Sequence, residues 1–315
     1  MIPAGLEILS IPVFIIGVVF LWKGSDILVD GTSKAAAQIG VSALIISVIL
    51  VGFGTSAPEF AISVGAAVQK NSDISLGNII GSCIANLFLV LGVAAIIRPL
   101  KIQKGVIKRE APIMLAATIV LFLFSFFDLL DKYHMIGGII FIFLFCLFVF
   151  FFIRCAKKER YNFDKLEKGK NFINLVFIFL GITGVIVGAY LLIESAVVIA
   201  EFFSVPQFVI AISLVAIGTS LPELVVSVTA SFRDESDIAV GNVLGSNVFN
   251  ILLILGSAAL FIPLNAMLSV DHLLILLVFT VLIFPIIYTG HKISKIEGFF
   301  MVIIYFTYII YSFVL

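Results

Sequence analysis

Residues 52 to 86 read GFGTSAPEFAISVGAAVQKNSDISLGNIIGSCIAN, and residues 216 to 250 read AIGTSLPELVVSVTASFRDESDIAVGNVLGSNVFN. Aligned without a gap at an offset of 164, they match at 16 of 35 positions. The same offset carries Gly24 onto Gly188, Asp30 onto Glu194, Gly92 onto Gly256 and Pro99 onto Pro263. The chain is a duplication, and most of each half belongs to the repeated unit. Composition then sets the solvent. Of 315 residues, 62% are hydrophobic and 12% charged, where a soluble domain is about half apolar and a quarter charged. Such a chain folds in lipid, which excludes most soluble enzymes. Nineteen Lys and Arg balance nineteen Asp and Glu, which gives no basic surface for nucleic acid. Cys83, Cys146 and Cys155 are odd in number and lack CxxC spacing, so they indicate neither a disulfide framework nor a zinc site.

A helix needs about 20 apolar residues to cross the hydrocarbon core. Ten stretches qualify, at 9–33, 41–69, 74–97, 110–128, 134–154, 172–199, 206–231, 238–261, 270–289 and 297–315. The first is too long for a cleavable leader, lacks a basic start, and contains Lys23, Asp26 and Asp30. Loops of one parity hold Lys34, the Arg98–Arg109 and Arg154–Lys170 clusters, Arg233, Lys292 and Lys295, which are 16 of the 19 basic residues. Basic loops stay cytoplasmic, so both termini are expected outside and the polar stretch 155–171 inside. The fold expected is an all-α polytopic membrane protein with ten transmembrane helices, made of a first five-helix repeat (1–155), a cytoplasmic linker (156–171) and a second five-helix repeat (172–315). An odd number of spans per repeat inverts the second copy, an architecture typical of secondary transporters, whose substrate site lies at the midplane between repeats.

Each copy sets GTS-x-PE in mid-span: Gly54, Thr55, Ser56, Pro58 and Glu59 in one, Gly218, Thr219, Ser220, Pro222 and Glu223 in the other. Proline and glycine predict a broken helix just ahead of each glutamate. Irregular backbone at membrane depth is tolerated only inside protein or along a polar cavity, and an ionisable side chain there costs at least ~2.5 kcal/mol. The following span adds GNxxGS, with Asn78, Ser82 and Asn86 in one half and Asn242, Ser246 and Asn250 in the other. Ser82 and Asn86 share a helix face, as do Ser246 and Asn250. Carboxylates, hydroxyls, amides and freed carbonyls are hard oxygen donors, suited to Ca²⁺, Na⁺ or Mg²⁺ rather than zinc or copper.

Plainer roles compete. The motif also suits a Ser/Thr-capped half-helix, but capping does not require a buried glutamate in both copies. Gly77, Gly81, Gly241 and Gly245 suit close helix packing. Asp26, Asp30, Lys23 and Glu194 suit internal pairs or snorkelling. Asp73 and Asp237 read as helix N-caps, the three histidines as solvated at the interfaces, and the 32 phenylalanines as lipid-facing bulk.

At these motifs the chain resembles the cation/calcium exchanger superfamily, close to the prokaryotic sodium/calcium exchangers, over essentially its whole length. The resemblance implies an antiporter in the cell membrane that uses inward Na⁺ movement to expel Ca²⁺, electrogenically at three Na⁺ per Ca²⁺. It implies no cofactor, and no obligate protein partner is evident; Na⁺ and Ca²⁺ are the substrates and the bilayer the medium. It maps ion coordination onto Glu59 and Glu223, with Thr55, Ser56 and Ser82 in one half and Thr219, Ser220 and Ser246 in the other. Backbone carbonyls map to Gly52 and Ala216, and the last central pair to Asn86 and Asn250. Some relatives carry aspartate at the position of Asn250, so this site is expected to hold two acids rather than three, which weakens the case for K⁺ co-transport. The resemblance further implies alternating access by sliding of spans 9–33 and 172–199, whose glycines Gly17, Gly24, Gly31, Gly181, Gly184 and Gly188 permit it. The alternative is a proton-coupled Ca²⁺ exchanger of the same fold, but that branch carries GNxxE where this chain has GNxxG. Mg²⁺ sheds water reluctantly, a channel needs a continuous pore, and no GxGD, HExxH or Ser/His arrangement marks an intramembrane protease.

Overall fold

The computed structural model describes residues 10–161, 171–202, 218–266 and 270–314. The main helices are α1 (Ser10–Ile39), α2 (Ala43–Thr55), α3 (Ala57–Val68), α4 (Ser72–Ile97), α5 (Ala111–Phe126), α6 (His134–Tyr161), α7 (Asn171–Phe202), α8 (Leu221–Phe232), α9 (Ser236–Ala259), α10 (Val270–Tyr288) and α11 (Lys295–Val314). A short ladder pairs β1 (Leu100–Lys101) with β2 (Lys292–Ile293) antiparallel, Leu100 opposite Ile293. Among the described residues, seven helices are long and apolar enough to cross a membrane, or eight if α2 and α3, bent by 48° at their break, count as one span. Helix α5 has 16 residues and continues directly from a wider π-type turn, Val106–Glu110, that carries Lys108, Arg109 and Glu110. Helix α8 has 12. Of the ten predicted spans, the seventh lies outside the described residues up to position 217, as do residues 162–170 of the linker.

The break between α2 and α3 falls where the sequence placed it. Pro58, at the second position of α3, has no N–H to give to the preceding turn, and Ser56 leaves helical geometry at φ −81°, ψ 7°. Ser220 sits at φ −87°, ψ 7° with Pro222 in the same place in α8. The far ends match too. Lys70 and Asp234 adopt left-handed φ of 62° and 63°, and the next amides, of Asn71 and Glu235, each return to a carbonyl five residues back, at 2.9 Å. Such a closure satisfies the last carbonyls of a helix. A third correspondence is the widening to π-type turns at Ala85–Val90 of α4 and Phe249–Ile254 of α9, positions related by the offset of 164.

The reading of Asp73 and Asp237 as N-caps is corrected. Both lie in the first turn, one residue inside. The cap of α4 is Asn71, whose side chain accepts from the Ile74 amide at 3.1 Å. Asp237 instead accepts from Gln103, because the loop after α4 folds over the start of α9. His134 is not simply solvated either; its Nδ1 lies 2.8 Å from the Ala259 carbonyl at the end of α9.

Helices α4 and α9 form the centre: 83% and 94% of their most apolar stretches are buried, against 17–33% for α1, α6, α7, α10 and α11. The last five expose broad apolar faces, the arrangement expected of a bundle in lipid. Helices α1 and α7 run together along their length through the glycines singled out above. A Cβ on Gly24 would lie 2.7 Å from the Val185 amide, on Gly181 2.7 Å from Leu28 Cα, and on Gly188 2.5 Å from the Leu21 amide. The small faces meet one another, backbone to backbone, rather than the central helices.

Contacts between connections sort by the parity that the basic residues predicted. At one end, the Ser42 amide donates to Glu159, Arg109 pairs with Glu159, Arg98 and Lys101 pair with Asp234, and the 100–102 strand meets 291–293. At the other, Asn265 donates to Ser72 and the Ala266 amide to Asp131. Asp26 and Asp30 find a partner in Arg233 at the end of α8, and Asp30 also holds Lys34 at 2.6 Å.

Candidate functional site

The helix breaks bring the two motif copies together at the centre. Glu59 and Glu223 are fully buried, in the first turns of α3 and α8. Each half-helix is tied to the long helix that follows it in the same way. Asn78 Nδ2 donates to Ser63 Oγ at 2.8 Å and to the Glu59 carbonyl at 3.5 Å, and Asn242 Nδ2 donates to Ser227 Oγ at 3.1 Å and to the Glu223 carbonyl at 3.3 Å. Asn78 and Asn242 thus fix the glutamates' backbone. The supporting roles of Ser63 and Ser227 were not read from the sequence, although both recur at the repeat offset.

Bonds between halves complete the centre. Ser56 Oγ donates to Glu223 Oε1 at 3.1 Å, and Ser246 Oγ lies 3.2 Å from both that oxygen and the Gly52 carbonyl. Thr55 Oγ1 donates to Asn242 Oδ1 at 3.0 Å. The hydroxyls of Thr55 and Ser246 are 3.4 Å apart, and so are those of their repeat counterparts Thr219 and Ser82. The approach depends on α9 lying against α2: a Cβ on Gly245 would be 2.4 Å from the Val48 carbonyl oxygen, and one on Gly241 2.9 Å from that of Leu44. The packing role expected for these two glycines is what they have. Asn86 and Asn250 are fully buried within the π-type turns of α4 and α9. Of the twelve expected site residues, only Ala216 lies outside the described residues.

What distinguishes this centre is its unmet valence. Among the described residues, both carboxylate oxygens of Glu59, Glu223 Oε2, Asn86 Oδ1, the Asn250 amide and Ser220 Oγ are buried without a well-formed hydrogen bond. Neither glutamate has an ion-pair partner among the described residues. Leaving such groups unpaired costs about 1–3 kcal/mol each, and more for charged ones. No group of three or more His, Cys, Asp or Glu side chains gathers among the described residues. The donor set is two carboxylates amid neutral oxygens, which suits hard cations.

Two cavities flank the centre. One, of about 500 Å³, lies between α3 and α7 and is lined by Ala57, Ala61, Ile186 and Tyr190, reaching Thr219. The other, of about 440 Å³, is lined by Leu221, Val225, Trp22 and Asp26. These four are the repeat counterparts of the first four, so one cavity is the image of the other.

A family model described as sodium/calcium exchanger protein matches residues 9–154 and 173–314. The chain belongs to the sodium/calcium exchanger family. It is thus a multi-pass membrane antiporter and not an enzyme. This exchanger is 34% identical to the sodium/calcium exchanger MaX1 of Methanosarcina acetivorans, over 96% of this chain and 97% of the relative. It is 33% identical to the inner membrane protein YrbG of Escherichia coli, over 81% of each chain. Its fold is similar to that of the sodium-calcium exchanger NCX_Mj soaked with zero Na⁺ and Ca²⁺, at a TM-score of 0.83 and 32% identity over 95% of this chain and 97% of that one.

Proposed function

We propose that this exchanger moves three Na⁺ inward for each Ca²⁺ expelled, electrogenically and by alternating access. Its ten spans form two inverted five-helix repeats, 1–155 and 172–315, joined by the cytoplasmic linker 156–171. Both termini face outward from the cell membrane, and no protein partner is required. Na⁺ and Ca²⁺ bind in turn at Glu59, Glu223, Thr55, Thr219, Ser56, Ser220, Ser82, Ser246, Asn86 and Asn250 and at the carbonyls of Gly52 and Ala216. The observation that carries this reading is the group of buried, unpartnered oxygens between the motif copies. One Ca²⁺ neutralises two glutamates, and two or three Na⁺ nearly do the same, so the occupied forms have similar charge and the empty one carries an unscreened pair. The matched cavities at the two ends support alternation, since inverted repeats give equivalent routes to either face.

The test loads vesicles with Na⁺, dilutes them into Na⁺-free buffer and follows radioactive Ca²⁺ uptake with and without a pH gradient. Uptake requires the Na⁺ gradient. Uptake driven by protons and indifferent to Na⁺ overturns the proposal in favour of the proton-coupled alternative.

Two further results are expected. Asn250→Asp adds a third acid to the centre, so exchange continues but falls as pH drops, where the wild type is less affected; an unchanged pH profile would remove Asn250 from the ion site. Arg233→Gln weakens the tie between α1 and α8, because Arg233 pairs both Asp26 and Asp30 across that contact, while the Ser25–Thr229 and Ser33–Glu235 bonds remain. A half-exposed pair contributes modestly, so apparent Ca²⁺ affinity measured from the Arg233 side should change about 2- to 5-fold while the Na⁺ to Ca²⁺ ratio stays fixed. Equal affinities would show that the pair has no part in closing that end.

A further inference from the structure

Asn247 belongs to neither set of expected ligands, and its repeat counterpart is Cys83, so the duplication does not single it out. Its side chain is buried, 1% exposed. Nδ2 donates to the Cys83 carbonyl at 3.1 Å and points toward Met114 Sδ at 3.8 Å. Oδ1 accepts from Asn86 Nδ2 at 3.1 Å. The Cys83 Sγ lies 4.0 Å from the Asn247 carbonyl, closing a reciprocal contact between α4 and α9.

The two ends of an amide are nearly equal in size, and which end faces a cation is set by hydrogen bonds alone. A backbone carbonyl accepts and never donates. The Cys83 carbonyl therefore fixes the Asn247 amide with its nitrogen toward that carbonyl. That leaves Asn247 Oδ1 facing Asn86, which must present its own nitrogen in return. The free end of Asn86 is then its oxygen, the buried Oδ1 that has no hydrogen-bond partner among the described residues. Asn250 has no such amide partner among the described residues; neither atom of its own amide makes a well-formed hydrogen bond, and the polar side chain beside it is the Cys83 thiol.

We infer that Asn247 is a positioning residue for the ion site: it holds the Asn86 amide with oxygen toward the cation and nitrogen away. This rests on the reading of Asn86 as an ion ligand. Without Asn247, Asn86 can turn its amide nitrogen, a donor, toward the ion and lose coordination.

The test is a double-substitution cycle in Na⁺-loaded vesicles, with Ca²⁺ KM and maximal rate measured separately. Asn247→Leu, similar in volume and without hydrogen bonds, should raise the Ca²⁺ KM about tenfold and change the maximal rate less. In an Asn86→Asp background, residue 86 has two equivalent oxygens and no amide to orient, so Asn247→Leu should then change KM less than about twofold. The same loss in both backgrounds would mean that Asn247 only packs, and would overturn the inference. Asn86→Ala separates the two levels. A raised KM with Asn86→Ala and an unchanged one with Asn247→Leu overturns the positioning role alone; an unchanged KM in both removes Asn86 from the site and the inference with it.

Discussion

Vesicles carrying Glu59→Gln or Glu223→Gln are expected to show no Na⁺-driven Ca²⁺ uptake above the protein-free background. Either change leaves one carboxylate to balance a divalent ion at a fully buried position. Removing one partner of a buried charge pair costs about 3–5 kcal/mol, or roughly 10²- to 10³-fold or more in affinity. The two substitutions should differ in stability. Glu59 has no well-formed hydrogen bond to either oxygen among the described residues, with only the Ser82 hydroxyl beside it, so glutamine removes charge at a place where the protein gives little in return, and the ion-free variant should be at least as heat-stable as the wild type. Glu223 accepts from Ser56 and Ser246 through Oε1. Glutamine retains an acceptor there, with weaker bonds once the charge is gone, so the stabilisation should be smaller. Thermal melting in detergent without Ca²⁺, alongside uptake, measures both. Wild-type uptake by either variant would place the ions elsewhere.

The second large effect is expected from a single methyl group. In Gly245→Ala the new Cβ falls 2.4 Å from the Val48 carbonyl oxygen and 2.9 Å from Val48 Cα. Both are backbone atoms, so no rotamer change relieves the clash, and α2 and α9 must separate. Overpacking of this kind costs about 1–3 kcal/mol. The functional loss should exceed the loss of stability. Gly52 and Ser246 lie at the same contact, where a Cβ on Gly52 would be 2.9 Å from the Ser246 amide, and a small separation lengthens every bond between Ser246, Thr55 and the Gly52 carbonyl. We expect a melting temperature lower by several degrees and a Ca²⁺ KM higher by about tenfold or more. Gly65→Ala in α3 is the control, since a Cβ there meets nothing among the described residues and alanine favours helix. Wild-type KM in Gly245→Ala would show that the site tolerates a wider gap than its hydrogen bonds suggest.

The parts legible in the sequence were those written twice. Glu59 and Glu223 stood out because an acid in mid-span has no bland explanation when repeated, and proline with glycine announced the breaks at Ser56 and Ser220. The parity of the basic loops anticipated which connections touch. Other features depend on contacts between halves, which a repeat cannot announce. Asn247 corresponds to Cys83, and its partner Asn86 is 161 positions away. Arg233 corresponds to Gln69, so the partner of Asp26 and Asp30 had no double. The π-type turns add no composition signal of their own, because Ala85–Val90 and Phe249–Ile254 contain neither Gly nor Pro. The N-cap reading of Asp73 failed for a local reason: Asn71, two residues earlier, reaches the Ile74 amide first.

The seam between α1 and α7 bears on how many parts can move. Side-chain contacts can be remade by turning rotamers, but a contact in which Gly24 faces Val185 and Gly188 faces Leu21 through main-chain atoms has no rotamers to turn. The two helices keep a single register, and displacing one carries the other. In the proposed alternating access the pair counts as one moving part, and a covalent staple across the seam is expected to leave Na⁺-driven Ca²⁺ uptake intact.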